Sequence, residues 1–276
     1  MVRSYAIQGT KVGVLGKNRV QVIVSKLAKT RIVQQNRELA GHVPATRTFS
    51  RRSLYAMLER YRMVYVKPDR GSLGVGVMRV DKIKSGYRYQ NGTRICACPT
   101  FQALYRSLRR IIGVERYLIQ RGISALRRVG CPFDFRVMIQ RNTAKRWICT
   151  GIAGRVAHPR KIVSNGSQGG TIYSADALLS PIAGRTASVR IQRKMKQLAK
   201  LTSAEFSRSY PAMHELGLDI AVDRSLKPWV LEVNTRPDPC PFTKLDDKSA
   251  IRRIVRYAKS YGRSYCLTCT KARKAR

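Results

Sequence analysis

Apolar residues alternate with polar ones along some segments of the chain and recur every three or four residues along others. The first spacing is typical of half-buried strands and the second of amphipathic helices. Leu54, Met57, Leu58 and Tyr61, for example, fall on one side of a helix over 51–62. Further helices are predicted over about 25–40, 100–112, 188–209 and 247–260. Strands are predicted over 20–24, 63–66, 75–80, 87–90, 93–97, 117–120, 133–140, 146–156, 217–223 and 228–233.

Strands and helices therefore alternate along the chain, and several strands follow one another directly. Asn91-Gly92 lies between two short strands and is typical of a tight hairpin turn. Pro44 ends the first helical pattern and leaves 42–46 extended. This order predicts an α+β (mixed α/β) fold and excludes an all-α or all-β protein.

The 276 residues, 43% of them hydrophobic, suffice for one large domain or two small ones. No apolar stretch approaches the roughly 20 residues of a membrane span. The first residues lack the apolar run of a signal peptide. We therefore expect a soluble, cytoplasmic protein without a membrane span.

The net charge of +40 comes from 55 basic and 15 acidic residues spread over the whole chain. A charge of this size predicts incidental affinity for nucleic acid, because neutralised phosphates release counterions. An acidic polymer is a second candidate partner. The sequence carries no helix-turn-helix, zinc-finger or aromatic RNA-binding motif, so a dedicated nucleic-acid function is the weaker interpretation.

Seven cysteines are present, and without a signal peptide we expect thiols rather than disulfides. Cys96 and Cys98, together with Cys266 and Cys269, could instead supply four thiolates to zinc. The long separation between the two pairs makes this the weaker alternative.

Lys67 stands near the end of an apolar strand and precedes a loop that contains Gly71, Gly74 and Gly76. Glycines let backbone N–H groups approach an anion closely, and the lysine adds a positive charge. The segment predicts a phosphate-binding loop between two strands. A plain hairpin turn is the alternative interpretation of the same glycines.

Asp219 lies on one predicted strand, and Glu232 and Asn234 share a face of the next. Two carboxylates and an amide oxygen are hard ligands suited to Mg²⁺. Placing these groups on apolar strands is costly unless a cation pairs with them. The cation could also be a nearby lysine or arginine, since both are abundant.

Asp134 and Arg136 alternate with apolar residues and so share one polar strand face. The guanidinium of Arg136 could bind a phosphate or carboxylate, or simply pair with Asp134. Arg155 ends another strand and is followed by a glycine-rich segment, 165–170, that could reach a ligand or form a surface loop.

Taken in this order, these segments resemble the ATP-grasp superfamily, and more narrowly the YheC/YheD family of endospore coat-associated proteins. The resemblance covers about 26–262. Its most specific part is the Glu-x-Asn of Glu232 and Asn234, preceded by Asp219. The other segments that carry it are 43–46, 65–68, 133–136, 164–170 and 227–229.

The resemblance implies an ATP-grasp domain over 43–262, with a nucleotide-clamping subdomain at about 65–122 and a metal-binding subdomain at about 130–262. Residues 1–42 would form a shortened N-terminal segment, and 263–276 a basic, cysteine-containing tail. The superfamily's earlier phosphate-binding lysine would be Lys26 or Lys29, and the sequence leaves both open.

The resemblance also implies a role for each candidate site residue. Lys67 would contact the α- and β-phosphates, and Arg136 would face the transferred phosphoryl group. Asp219, Glu232 and Asn234 would hold Mg²⁺. The remaining residues implied to contact ATP are Gly71, Ser72, Gly74, Gly76, Gln120, Arg121, Ile123, Arg155 and Asn165.

The implied function is an ATP- and Mg-dependent ligase that converts a carboxylate to an acyl phosphate and couples it to an amine or thiol. The family resemblance adds an expected link to the spore coat or cell envelope. A catalytically silent ATP-binding structural protein and a basic nucleic-acid-binding protein are the alternatives.

Overall fold

The structure is a computed structural model that describes residues 10–13, 20–72, 74–158, 170–268 and 273–274. Its helices are α1 (Lys26–Gln34), α2 (Arg37–Ala40), α3 (Arg51–Tyr61), α4 (Phe101–Ile112), α5 (Ala175–Ala183), α6 (Arg185–Ser209), α7 (Cys240–Thr243) and α8 (Ser249–Ser260). Its first eight strands are β1 (Thr10–Gly13), β2 (Val20–Ile23), β3 (Thr46–Thr48), β4 (Met63–Pro68), β5 (Met78–Ile83), β6 (Gly86–Asn91), β7 (Arg94–Cys98) and β8 (Tyr117–Arg121). The remaining strands are β9 (Arg127–Arg128), β10 (Cys131–Arg141), β11 (Trp147–Val156), β12 (Thr171–Ser174), β13 (Glu215–Val222), β14 (Pro228–Asn234) and β15 (Arg273–Lys274).

Two sheets organise the described chain, beside the short β1–β2 hairpin. The small sheet has the order β3-β8-β4-β5-β6-β7, and every neighbouring pair in it is antiparallel. The large sheet has the order β14-β13-β10-β11-β12-β15, with β9 paired to β10. The predicted mixture of helices and strands is therefore confirmed.

The small sheet packs one face against α3 and α4, because apolar residues alternate along its strands. Val64 and Val66 of β4 meet Leu54 of α3 and Leu108 of α4 in one buried cluster. Lys67, the residue after Val66, is also buried, on the strand face opposite to that of Val64 and Val66.

The large sheet is covered on both faces, and β10 shows why. Val137 and Ile139 pack with Met195 of α6, whereas Met138 packs with Ile254 of α8. Successive residues of a strand point to opposite faces, so α6 and α8 lie on opposite sides of this sheet.

Several predicted boundaries are wrong for local reasons. The side chain of Asn36 accepts a hydrogen bond from the Leu39 amide over 3.1 Å, which starts α2 and splits the predicted 25–40 helix. The predicted helix over 188–209 corresponds to α6, whereas α5 is not predicted; Gly184, with φ of 79°, separates the two helices. Gly74 and Gly76 adopt positive φ, so β5 begins at Met78 instead of residue 75.

Five cysteines of the described part are free thiols, as predicted. These are Cys96, Cys98, Cys131, Cys149 and Cys266. The expectation is wrong for Cys240, which is disulfide-bonded. Which cysteines pair depends on the distances that the fold sets, and spacing along the chain does not show it.

None of the helices in the described ranges is both long enough and apolar enough to cross a membrane.

Candidate functional site

Lys67 reaches from the small sheet to the large sheet. Its ammonium donates to Oε1 of Gln120 on β8 over 2.9 Å and to the carbonyl of Leu231 on β14 over 3.4 Å. Burial lowers the pKa of Lys67 to about 8, although the charge of Glu232 opposes this shift. A buried ammonium with a depressed pKa is a group that gains from an anionic ligand.

Lys26 and Lys29 lie on the same face of α1, since they are three residues apart. Their ammonium groups approach the same Oε1 of Glu232, at 4.0 Å and 3.8 Å. Both lysines are buried, and burial lowers the pKa of Lys29 even though Glu232 opposes the shift. The structure therefore brings both candidate lysines to the predicted metal ligand.

The two lysines differ in their other contacts. The Lys26 ammonium donates to the carbonyl of Gly71 over 2.7 Å and so ties α1 to the glycine loop. The ion pair with Glu232 is the polar contact that Lys29 makes in the described part of the chain. Lys29 consequently has the more available ammonium hydrogens.

Asp69, which the sequence analysis did not single out, anchors the same loop. Its Oδ1 accepts hydrogen bonds from the hydroxyl of Ser25 and the amide of Leu27, at 3.0 Å and 2.9 Å. Asp69 therefore satisfies an amide at the N-terminus of α1, where an acidic side chain is favoured. The sequence does give one hint of this role, because Asp69 is one of only 15 acidic residues and directly follows Lys67-Pro68.

The glycine loop follows directly. Gly71, Gly74 and Gly76 have φ of 106°, 73° and 73°, the left-handed region that favours glycine. A Cβ on Gly76 would also lie 2.8 Å from the hydroxyl of Tyr117. Ser72 is exposed beside Gly71.

Gln120, Arg121 and Ile123, three of the residues implied to contact ATP, lie where the two sheets meet. The amide of Gln120 donates to the Leu231 carbonyl over 3.2 Å, so its side chain joins β8 to β14. The guanidinium of Arg121 packs over the ring of Trp229, 4.9 Å from its centroid. Ile123 is buried against Trp229.

Pairing of β10 with β13 and β11 produces a row of ion pairs. Arg136 lies opposite Asp219 and donates to its Oδ1 over 2.8 Å. Arg155 lies opposite Asp134, binds both of its oxygens at 2.7 Å, and approaches Oδ1 of Asp219 at 3.1 Å. Burial acts to raise the pKa of Asp219, but the two arginines outweigh it and hold this pKa below its usual range.

Arg155 therefore makes internal contacts that the sequence analysis did not anticipate. It is 2% exposed and already carries three close contacts to carboxylate oxygens. In this arrangement it positions Asp219 from within the sheet.

The three expected metal ligands lie together on β13 and β14. Asp219 faces Glu232 and Gly217 faces Asn234 across the strand pair, and the Asn234 amide lies 3.5 Å from Oδ2 of Asp219. Both arginines contact Oδ1 most closely, which leaves Oδ2 the less engaged oxygen. Two carboxylates and an amide are oxygen donors that fit Mg²⁺.

This set contains only two carboxylates. The described residues accordingly hold no cluster of three His, Cys, Asp or Glu side chains that could bind a metal. Asn165, which was expected to reach the ligand, lies outside the described residues.

The two sheets, with the glycine loop on one and the Asp–Glu–Asn set on the other, form the fold of an ATP-grasp protein. More narrowly, residues 20–264 match the YheC/D-like ATP-grasp family, and the chain belongs to that family.

Two relatives from Bacillus subtilis (strain 168) are similar to the chain in sequence. The chain is 26% identical to the endospore coat-associated protein YheD over 209 residues, which cover 72% of this chain and 45% of YheD. It is 23% identical to the endospore coat-associated protein YheC over 210 residues, covering 74% and 57%. The chain thus spans about half the length of these relatives.

Solved structures share the fold at low identity. A D-cycloserine synthetase matches with a TM-score of 0.54 and 14% identity, over 86% of this chain and 68% of that one. An Aspergillus clavatus carboxyaminoimidazole ribonucleotide synthase, crystallised with ATP, matches with a TM-score of 0.50 and 11% identity, over 78% and 45%.

Proposed function

We propose that this protein binds ATP with Mg²⁺ between its two sheets and uses it to join a carboxylate to an amine or thiol. The observation that carries the proposal is the group of three buried lysines, Lys26, Lys29 and Lys67, around the single carboxylate of Glu232. Buried ammonium groups are costly unless anions pair with them. A nucleotide triphosphate supplies the missing negative charge.

Each lysine has a distinct part in this proposal. Lys67 already touches both sheets and would hold phosphate oxygens between them. Lys29, with the freer ammonium, is the better candidate for the second phosphate contact, and Lys26 holds the glycine loop through Gly71. Residues of about 65–122 and 130–262 would act as the two halves of the clamp, and Gly71, Ser72, Gly74 and Gly76 would cover the phosphates.

The metal would bind to Asp219, Glu232 and Asn234, whose oxygens are hard donors. When bound, Mg²⁺ neutralises the charge of the phosphates and orients them. Arg155 holds Asp219 by its Oδ1 and keeps the carboxylate in place on the strand.

The reaction would proceed in two displacements. A substrate carboxylate oxygen attacks the γ-phosphorus, the bond to ADP breaks, and an acyl phosphate forms. An amine or thiol then attacks the acyl carbon, loses its proton and releases phosphate. Arg136 would stabilise the charge on the transferred group, and no protein nucleophile is required, so catalysis rests on positioning and electrostatics.

The names of the two relatives support a further part of the proposal. Both YheD and YheC are described as endospore coat-associated, and we extend this association to the present chain. The acceptor and donor molecules would then belong to the spore coat or cell envelope.

Isotope scrambling in bridge-labelled ATP tests the first displacement. Reversible acyl phosphate formation lets the labelled β–γ bridging oxygen rotate into a non-bridging position when ADP is held in the site. We expect the label to scramble only when one class of carboxylate from a mixed panel is present. The Glu232→Gln variant should show no scrambling with that carboxylate. Nucleotide binding without scrambling under any carboxylate would identify a silent ATP-binding protein instead.

A further inference from the structure

The longest helix, α6, carries seven basic residues and a single acidic one, Glu205, which is buried. Its buried side contributes Ile191, Met195 and Leu198 to the core of the large sheet. The helix is therefore fixed on the molecule, and its other side faces solvent.

Four of the basic residues share one sector of that side, here named the α6 basic stripe: Arg185, Arg193, Lys196 and Lys200. All four are exposed. At 3.6 residues per turn they lie within a sector of roughly 80°, and at 1.5 Å per residue they extend over about 22 Å.

The protein neutralises little of the stripe. In the described part of the chain, the ion pairs of α6 join Lys194 to Glu38 and Arg208 to Glu205, and neither involves the stripe. Lys194 lies on another side of the helix. Arg185 interacts electrostatically with the carboxylate of Asp176, so the charges most available to an external polyanion are those of Arg193, Lys196 and Lys200.

The shape and chemistry of the stripe favour one polyanion over others. A helix packed on a sheet presents a fixed row of charges, which suits a rigid rod better than a flexible chain that loses entropy on binding. Duplex DNA is such a rod and carries one negative charge per roughly 1.7 Å. The same sector contains Val189 but no aromatic side chain on which single-stranded bases could stack.

From this geometry we propose that the α6 basic stripe is a docking surface for the sugar–phosphate backbone of duplex DNA, bound without regard to base sequence. The contacts are between guanidinium or ammonium groups and phosphate oxygens. Such contacts set affinity and orientation but do not distinguish bases. The proposal is independent of the ATP site, since none of its residues contributes to that site.

Salt-dependent binding of a short, mixed-sequence, labelled duplex tests the proposal by fluorescence anisotropy. The test variant is R193Q/K196Q/K200Q. The matched control is R252Q/R256Q/K259Q, which removes three exposed charges from α8 on the opposite side of the large sheet. Glutamine is a good helix former, and circular dichroism checks that both variants fold.

We expect the plot of log affinity against log salt to be shallower by roughly 2 to 3 in the α6 variant, because three phosphate contacts are lost. The α8 control should keep most of the wild-type slope. An equal reduction of the salt slope in the two variants would show that only net charge matters and would overturn the proposal. Equal or tighter binding of polyglutamate or single-stranded DNA by the wild type would overturn the choice of duplex DNA.

Discussion

Lys67 shows what it costs to bury a charged side chain at the candidate site. Its ammonium lies in the interior between two sheets, and its pKa is lowered to about 8 chiefly by burial. The charged form is therefore less stable in the folded state than in the unfolded chain. Under the proposed function the same environment would favour a bound phosphate, so the free protein would be less stable but would bind the nucleotide more tightly.

The pH dependence of unfolding should reveal this cost. The unfolded chain binds the Lys67 proton up to about pH 10.5, whereas the folded protein releases it near pH 8, so the free energy of unfolding should rise between these values. The difference between these two pKa values, about 2.5, corresponds to roughly 3 kcal/mol. Urea unfolding of wild type and Lys67→Met from pH 7 to 10 measures it. If the difference in unfolding free energy between wild type and Lys67→Met did not change with pH, the burial of a charged Lys67 would be contradicted.

Gly217 matters because a guanidinium and a proline pack against it. A Cβ at this position would lie 2.6 Å from Cβ of Pro237 and 3.2 Å from a terminal nitrogen of Arg136. Gly217→Ala should therefore lower the free energy of unfolding by about 1–3 kcal/mol. Chemical denaturation measures the change. Gly41→Ala is the matched control, since its Cβ would meet Glu38 at an ordinary 3.5 Å, and similar losses in both would count against the crowding argument.

Among the helices, α1 is the one that joins the two halves of the candidate site. Asp69 holds its N-terminus to the segment before the glycine loop, and Lys26 and Lys29 extend from it to Glu232 on β14. A loose start of α1 would therefore disturb both the loop and the lysines.

Loss of the Asp69 hydrogen bonds to the start of α1 should affect stability and nucleotide binding together. Asp69→Ala should cost roughly 1–2 kcal/mol of unfolding free energy and weaken ATP binding, because the lysines and the loop lose their common anchor. Ser50→Ala removes the cap of α3, which accepts from the Ser53 amide over 3.1 Å, and should affect stability alone. Chemical denaturation of both variants measures the change in unfolding free energy, and titration with ATP measures the change in nucleotide affinity. Unchanged ATP affinity in Asp69→Ala would refute the coupling.

Many of the strand and motif positions along the chain could be predicted from the sequence, because alternation and helical spacing are local properties. The hairpin at Asn91-Gly92 and the strands bearing Lys67 and Asp219 are examples. The partners of the charges could not be predicted, since they depend on register and on contacts between distant segments. Arg155 pairs with Asp134 through strand register, and Glu232 meets lysines some 200 residues earlier in the chain.

Across the whole site, basic groups outnumber acidic ones. The charged residues at the site are Lys26, Lys29, Lys67, Arg136 and Arg155, with Asp69, Asp134, Asp219 and Glu232. Both carboxylates of the candidate metal set already face basic side chains. A divalent cation alone would therefore gain little, whereas a bound triphosphate would reverse the local charge.

Metal binding should consequently depend on the nucleotide. Two calorimetric titrations of the free protein, one with Mg²⁺ alone and one with ATP alone, cover the same range of ligand concentration. The titration with ATP should show binding, and the titration with Mg²⁺ should show none. Adding ATP first should then allow Mg²⁺ to bind, and by linkage each ligand should strengthen the other by the same factor. Tight binding of Mg²⁺ to the nucleotide-free protein would contradict this charge balance.

The central claim is that the buried lysines between the two sheets bind the phosphates of ATP, and a thermal melt with and without Mg·ATP tests it most directly. The control Lys82→Met removes a partly exposed lysine of the same sheet, which pairs with Glu59 of α3. Wild type and Lys82→Met should both melt at higher temperature with Mg·ATP. At 100 times the dissociation constant the gain is roughly 2.7 kcal/mol. Lys67→Met should fold but show no shift. An absence of any shift in the wild type, or an equal shift in Lys67→Met, would contradict the claim.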